Sequence, residues 1–258
     1  MLEQLMVLLN SAAPFMAVGF AAQIVDGALG MAFGVITQTL LVSVVGMPPA
    51  SASASVHLVE LFTTATSGVS HIWHRNIDWG LFRRLAPMGV LGGVTGAYLL
   101  SNVDASIAKP FIMIYLTGIG IYLMVRAIRM RTPSFEDPRY TAPLAAVGGF
   151  LDAAGGGGWG PVVTSNLLVQ GGDPAKTIGT VNSVEFLLTL SVSIAFILTL
   201  GLAAFTTATV GLIIGGVVAA PFGALFAKRL KPRFLLMAVS VVLISTSLFS
   251  IYRAWPIF

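Results

Sequence analysis

Two polar pairs stand inside long apolar stretches: His57 with Glu60, and Asn182 with Glu185. The i, i+3 spacing puts both members of each pair on one face of a helix. A carboxyl group inside a membrane span is costly, and is usually paired, neutral or functional. Such a group is suited to carrying a proton, so Glu60 and Glu185 are proton-coupling candidates. An imidazole or amide beside it can hydrogen-bond a polar solute. A structural role, as neutral acids bonded to nearby backbone, stays open for both glutamates.

Two further carboxylates precede glycine-rich turns. Asp26 lies in "IVDGALGMAFGV" (24–35) and Asp152 in "FLDAAGGGGWGP" (150–161). Consecutive glycines are the weakest helix formers after proline, so the chain is expected to turn there. Glycine also lets a ligand approach the backbone closely. A helix that starts beyond such a turn presents free N–H groups and a positive dipole end, which favour an anion. Gly30, Gly156, Gly157 and Gly158 are therefore candidate substrate contacts. Trp159 either stacks on the substrate or plugs the tip. Asp26 and Asp152 suit capping of the helices after the turns, because an anion site does not tolerate two bare carboxylates. Gln38, Ser165 and Asn166 beside the turns, with His57, Asn182 and Ser183 on the helices that follow, complete the candidate set. Singly, each of these is more often a helix–helix hydrogen bond, and glycine-rich turns also serve tight helix packing in membranes.

Composition sets the class. Of 258 residues, 56% are hydrophobic and 9% charged, and the mean hydropathy is +0.91. A soluble domain carries roughly 25% charged residues. This chain has too little charge to solvate a surface of that size, which points to a polytopic membrane protein. The absence of cysteine excludes thiol redox chemistry, disulfides and cysteine metal sites. His57, His71 and His74 make no metal-binding pattern, so neither metal nor cofactor is expected. The net charge of +4 fits basic residues gathered in cytoplasmic loops and calls for no nucleic-acid partner. The N-terminus has no basic n-region and reads as part of the first membrane segment.

Apolar segments run roughly over 5–25, 27–46, 50–73, 80–100 and 107–128, then 141–153, 157–171, 176–200, 203–227 and 233–252. The segments 141–153 and 157–171 are too short to span comfortably. Between the two sets lies the polar stretch "RAIRMRTPSFEDPRY" (126–140). The turns align as an internal repeat: Asp26 falls on Asp152, Phe33 on Trp159 and Gly34 on Gly160. In the same register, with one gap, His57 falls on Asn182 and Glu60 on Glu185. Basic clusters at Arg75, Arg83 and Arg84, in the central stretch, and at Lys228, Arg229, Lys231 and Arg233 all fit the cytoplasmic side. Both termini then lie outside, and the two halves have opposite orientation. The expected fold is an all-α polytopic membrane protein of two inverted-topology repeats. Residues 1–128 form the first repeat, 129–140 a cytoplasmic linker and 141–258 the second. Each repeat is a broken or re-entrant helical hairpin followed by three transmembrane helices. The tips can meet near the bilayer midplane, where irregular backbone is tolerated only under cover of protein or a water-filled cavity.

The stretch "SASASVHLVELFTTATSGVSHIWHRNIDWGLFRRLAPMGVLGGVTGAYL" resembles the first-half motif of the sulfite exporter TauE/SafE family, also called the toluene sulfonate uptake permease family. "GGFLDAAGGGGWGPVVTSNLL" and "AKTIGTVNSVEF" are similar to its second-half partner. The resemblance implies a multi-pass protein of the cytoplasmic (inner) membrane with two homologous halves. It also implies a cargo among sulfite, sulfoacetate and other organosulfonates. The function expected is secondary transport of such an anion by alternating access, with proton coupling through Glu60 and Glu185 as an extension. The alternatives are a passive anion channel and a transporter of an unrelated small anion. An intramembrane enzyme is not expected, since no GxSxG or HExxH pattern appears. A homodimer is compatible with the sequence. No basic residue is expected deep in the membrane, and Lys176 is the only Lys or Arg expected near a hairpin.

Overall fold

The computed structural model describes residues 2–29, 31–129, 138–227 and 232–254. These residues are all helix and connecting turn, with no strand among them. Gly30, the linker from 130 to 137, and Lys228, Arg229 and Lys231 lie outside the described residues.

The first hairpin consists of α1 (Leu2–Leu29) and α2 (Phe33–Leu40), which runs on as a π-helical turn over Leu41–Val45. Helix α1 runs 28 residues, about 42 Å at 1.5 Å per residue. It is long enough to cross a bilayer core on its own. Gly46, in the left-handed region at φ 78°, ends the second limb. Three long helices follow: α3 (Pro49–Trp73), α4 (Trp79–Asn102) and α5 (Ala105–Ile128). Asp78 caps α4 by accepting from the Gly80 and Leu81 amides at 2.8 and 3.0 Å. Asp104 caps α5 through the Ser106 amide at 2.8 Å.

The second hairpin is shorter. Helix α6 (Thr141–Gly155) is followed by a π-helical turn over Trp159–Thr164 and by α7 (Ser165–Val169). Its 15 residues span about 22 Å, less than the ~30 Å hydrocarbon core. The π turn thus begins the second limb here but ends it in the first hairpin, so the hairpins are not copies. Helices α8 (Pro174–Leu200), α9 (Thr207–Ala227) and α10 (Pro232–Ala254) complete the chain. Asp173 caps α8 through the Lys176 amide at 2.8 Å, with Pro174 at the first helical position, where its missing N–H costs nothing.

Helix α1 packs on α9, α6 on α4, α5 on α10, and α3 on α8. Small residues make the first two contacts. A Cβ on Gly92 would stand 2.0 Å from the Ala146 carbonyl oxygen, and one on Gly215 would stand 2.0 Å from that of Met16. Close backbone approach through glycine is how helices associate where no hydrophobic effect drives them together.

The outer faces are apolar and the interior holds the polar groups. Phe111, Leu198 and Val241 are exposed, whereas Gln23, Thr37, Gln38, His57, Glu60, Asp152 and Thr164 are buried. Water rewards the opposite arrangement, and lipid rewards this one. Ala105–Ile128 and Lys176–Leu200, with mean hydropathies of 1.9 and 2.0, are each long and apolar enough to cross a membrane.

Candidate functional site

The hairpin tips meet. A Cβ on Gly34 would lie 3.0 Å from the Gly157 Cα and 3.3 Å from the Gly156 carbonyl oxygen. One on Gly157 would lie 2.3 Å from the Val35 amide nitrogen. Gly156 and Gly157 also take φ of 73° and 145°, which L side chains rarely adopt. Glycine is required there twice over, for the turn and for the contact.

Each aspartate takes N–H groups at the start of its own second limb. Asp26 Oδ1 accepts from the Phe33 amide at 3.3 Å. Asp152 Oδ1 accepts from the Gly158 and Trp159 amides at 2.7 and 2.9 Å. These N–H groups are engaged, so an anion must find other donors.

The other oxygen of Asp152 reaches α3. Oδ2 lies 3.1 Å from His57 Nε2, and both side chains are buried. His57 Nδ1 lies 2.8 Å from the Ser53 carbonyl oxygen. A carbonyl only accepts, so Nδ1 carries a hydrogen. The Nε2–Oδ2 contact then requires one further proton, held by the imidazole or by the carboxyl. Ser53 strengthens the crossing, since its hydroxyl donates to the Ala153 carbonyl at 2.7 Å.

Glu60 lies one turn along α3 from His57. Its carboxyl group packs on the first hairpin tip, where a Cβ added to Gly34 would lie 3.0 Å from Oε1. Its Oε2 is buried with no hydrogen-bond partner, as is Oε1 of Gln38. Gln38 packs on Gly156, where an added Cβ would meet its side-chain carbon at 2.1 Å. Donor atoms of His57, Glu60 and Asp152 lie within 4.8 Å of one another, a spacing that a metal ion could bridge. Two members of that group, His57 and Asp152, hold each other through the hydrogen bond already described.

The structure thus brings together His57, Glu60, Asp152, Gln38 and the Gly156–Gly158 turn. Others of the sequence set point elsewhere. Trp159 is fully buried, donates its Nε1–H to the Val181 carbonyl at 3.2 Å, and lies against Gly89 of α4. Asn182 donates to Ser67 of α3 at 2.9 Å. Ser183 and Asn166 bond back to their own helical turns, at Gly179 and Val162. Glu185 is partly buried on α8.

One residue overturns a sequence expectation. Arg126, in the last turn of α5, falls in sequence at the start of the polar central stretch, and the sequence offers Lys176 alone as a basic group near a hairpin. Its Nη1 donates to the Ser165 hydroxyl and lies 3.6 Å from the Met31 sulfur, so it touches both hairpins. Its position at the end of a span gave no sign of this, because a long side chain can fold back as readily as it reaches out.

A cavity of about 370 Å³ between α4, α5 and α6 is lined by Leu99, Val103, Phe111, Tyr115, Phe150 and Leu151. Its walls are nearly all apolar, which suits an acyl chain and not an anion.

Broken hairpins touching over buried ionisable groups, inside a bundle with an apolar exterior, define a polytopic membrane protein of the transporter class. The chain belongs to the sulfite exporter TauE/SafE family, which it matches over residues 15–250. It is 38% identical over 249 residues to the probable membrane transporter protein YtnM of Bacillus subtilis (strain 168), an alignment covering 93% of this chain and 83% of that protein. No solved structure matches it. The protein is accordingly a multi-pass membrane protein.

Proposed function

We propose that the protein is a secondary transporter of a small sulfur-containing anion, such as sulfite, sulfoacetate or another organosulfonate. It works by alternating access between two inverted repeats, 1–128 and 141–258, joined by 129–140. The observation that carries this reading is the contact of the two hairpin tips at Gly34 and Gly157, with His57 and Glu60 of α3 gathered against them. Exchange of partners supports the repeat. The first limb of each hairpin packs on a helix of the other half, α1 on α9 and α6 on α4. Such an arrangement lets one half rock against the other around a shared site. The membrane is the cytoplasmic one, with both termini outside, because the basic loops then lie inside. Glu60 and Glu185 carry the coupling protons.

The cargo class comes from the family, and is tested on purified protein in detergent. Thermal stability is measured with sulfite, thiosulfate, sulfate, sulfoacetate, taurine and acetate at equal ionic strength. A ligand held by the native state raises the melting temperature by mass action. A shift confined to one sulfur oxyanion or sulfonate supports the reading. No shift, or an equal one with acetate, removes the sulfur cargo.

A further inference from the structure

The acidic cluster at the hairpin tips is poorly suited to hold an anion by itself. Asp26, Glu60 and Asp152 are gathered there, and His57 is already paired. The tip N–H groups of Phe33, Gly158 and Trp159 are given to carboxylates. A cargo with a fixed negative charge needs a cation outside this cluster.

We infer that Arg126 and Ser165 form the oxyanion-selecting contact of the transport path, at the junction of the two hairpins. This rests on the anion-transport reading above. Three separate parts of the chain converge at this point. Arg126 comes from the end of α5, Met31 from the tip of the first hairpin, and Ser165 from the second limb of the other. The guanidinium donates to the Ser165 hydroxyl and lies 3.6 Å from the Met31 sulfur. Ser165 in turn lies 3.5 Å from that sulfur. Ser165 is fully buried and Arg126 is partly buried.

The guanidinium is rich in unspent donors. It has five N–H groups, and its acceptors among the described residues are one hydroxyl and one thioether. No carboxylate there pairs with it. A charge withdrawn from water without a counter-charge is costly. An oxyanion supplies both the charge and the acceptors, and a planar guanidinium fork matches two oxygens of a sulfonate or sulfite as it matches a carboxylate. The neighbouring Thr164 hydroxyl is fully buried and has no partner, a further unspent donor beside Ser165. A lipid phosphate offers the same chemistry, so the experiment separates the two sources.

The natural chain has no cysteine, so Ser165→Cys introduces a single reactive thiol. The variant is treated in proteoliposomes with an anionic, sulfonate-bearing thiosulfonate reagent and with a cationic one of equal size. The anionic reagent is expected to react about tenfold faster, the lower end of what a focused charge does to encounter rates. Arg126→Gln in the same background should bring the two rates together, and Arg126→Lys should keep the preference. Sulfoacetate should protect the thiol, whereas replacing neutral lipid by phosphatidylglycerol should not. Equal rates in Ser165→Cys with Arg126 intact, or no reaction with either reagent, would overturn the inference. Protection by phosphatidylglycerol alone would overturn it in favour of a lipid headgroup. The reagents need no knowledge of the natural cargo. A failure here is therefore distinct from a failure of the melting experiment on the unmodified protein.

Discussion

His57 on α3 and Asp152 on α6 face each other across the two halves of the chain, with Nε2 3.1 Å from Oδ2 and both side chains buried. Asp152 serves two masters, since its other oxygen holds the turn together through the Gly158 and Trp159 amides. The pair therefore ties the geometry of one hairpin tip to a long helix of the other half.

Removing this carboxylate should be among the costliest single changes in the protein. Asp152→Ala strands two buried amides and the imidazole together. Breaking a buried pair from one side costs about 3–5 kcal/mol. Asp152→Asn keeps an acceptor for the amides and should cost less. His57→Ala leaves the turn capped and should fall between the two. Unfolding in detergent measures all three, and a double-mutant cycle isolates the pair. A loss for Asp152→Ala no larger than that for Ile121→Ala, on the exposed face of α5, would show that the contact carries no stability.

Glycine substitutions should separate contact from conformation. At Gly157 an added Cβ lies 2.3 Å from a backbone nitrogen and φ is 145°, so both terms oppose Gly157→Ala. The expected loss exceeds about 4 kcal/mol, in the range of the severest substitutions, and is read as failed accumulation in the membrane. Gly118, inside α5, has nothing within 4 Å of an added Cβ. Gly118→Ala should be neutral or stabilising by up to about 1 kcal/mol. Equal behaviour of the two variants would contradict the tip contact.

Much of the helical arrangement was legible before the structure, because hydropathy sets helix length and Asp-Gly stretches break helices. That His57 and Glu60 share a face also follows from spacing. That Asp152 completes their cluster does not, because the crossing of α3 over α6 joins residues 95 apart in the chain. The same limit hid Arg126. Its neighbours Ser165 and Met31 come from elsewhere in the chain, and only packing brings them to it. The alignment of His57 with Asn182 also conceals a difference. His57 meets a carboxylate of the other half, whereas Asn182 meets a serine hydroxyl. Two stretches that align in sequence can thus be used unequally, as the offset π-helical turns also show.

Outside the membrane segments, Asp104 gives a pH signature. The Ser106 hydroxyl and amide both donate to it, in that order of effect, and hold its carboxyl below the usual carboxylate range. The folded state therefore favours the ionised form. Its stabilising contribution is fully present above the unfolded group's pKa, about 3.9, and is lost as pH falls through the lower folded-state value. Melting temperatures of the unmodified protein and Asp104→Ala should differ by a constant amount at neutral pH and converge below about pH 4. A gap that widens on acidification would reverse the sign and refute the capping role.

The coupling ion is decided by flux. Glu60 carries an oxygen with no partner at the hairpin tips, and Glu185 stands partly buried on α8. Glu60→Gln and Glu185→Gln keep the side-chain shape and abolish proton exchange. In proteoliposomes, uptake of labelled sulfoacetate by the unmodified protein should change severalfold when a pH gradient is imposed, and each variant should lose that response. Exchange of anion for anion at equal pH moves no net proton, so it should persist in both variants. This pairing separates a coupling group from a merely structural one, which would depress both measurements together. A passive channel would behave differently again. Its flux would follow the anion gradient alone, unaltered by the pH step in the unmodified protein, and the two glutamates would then have a structural role.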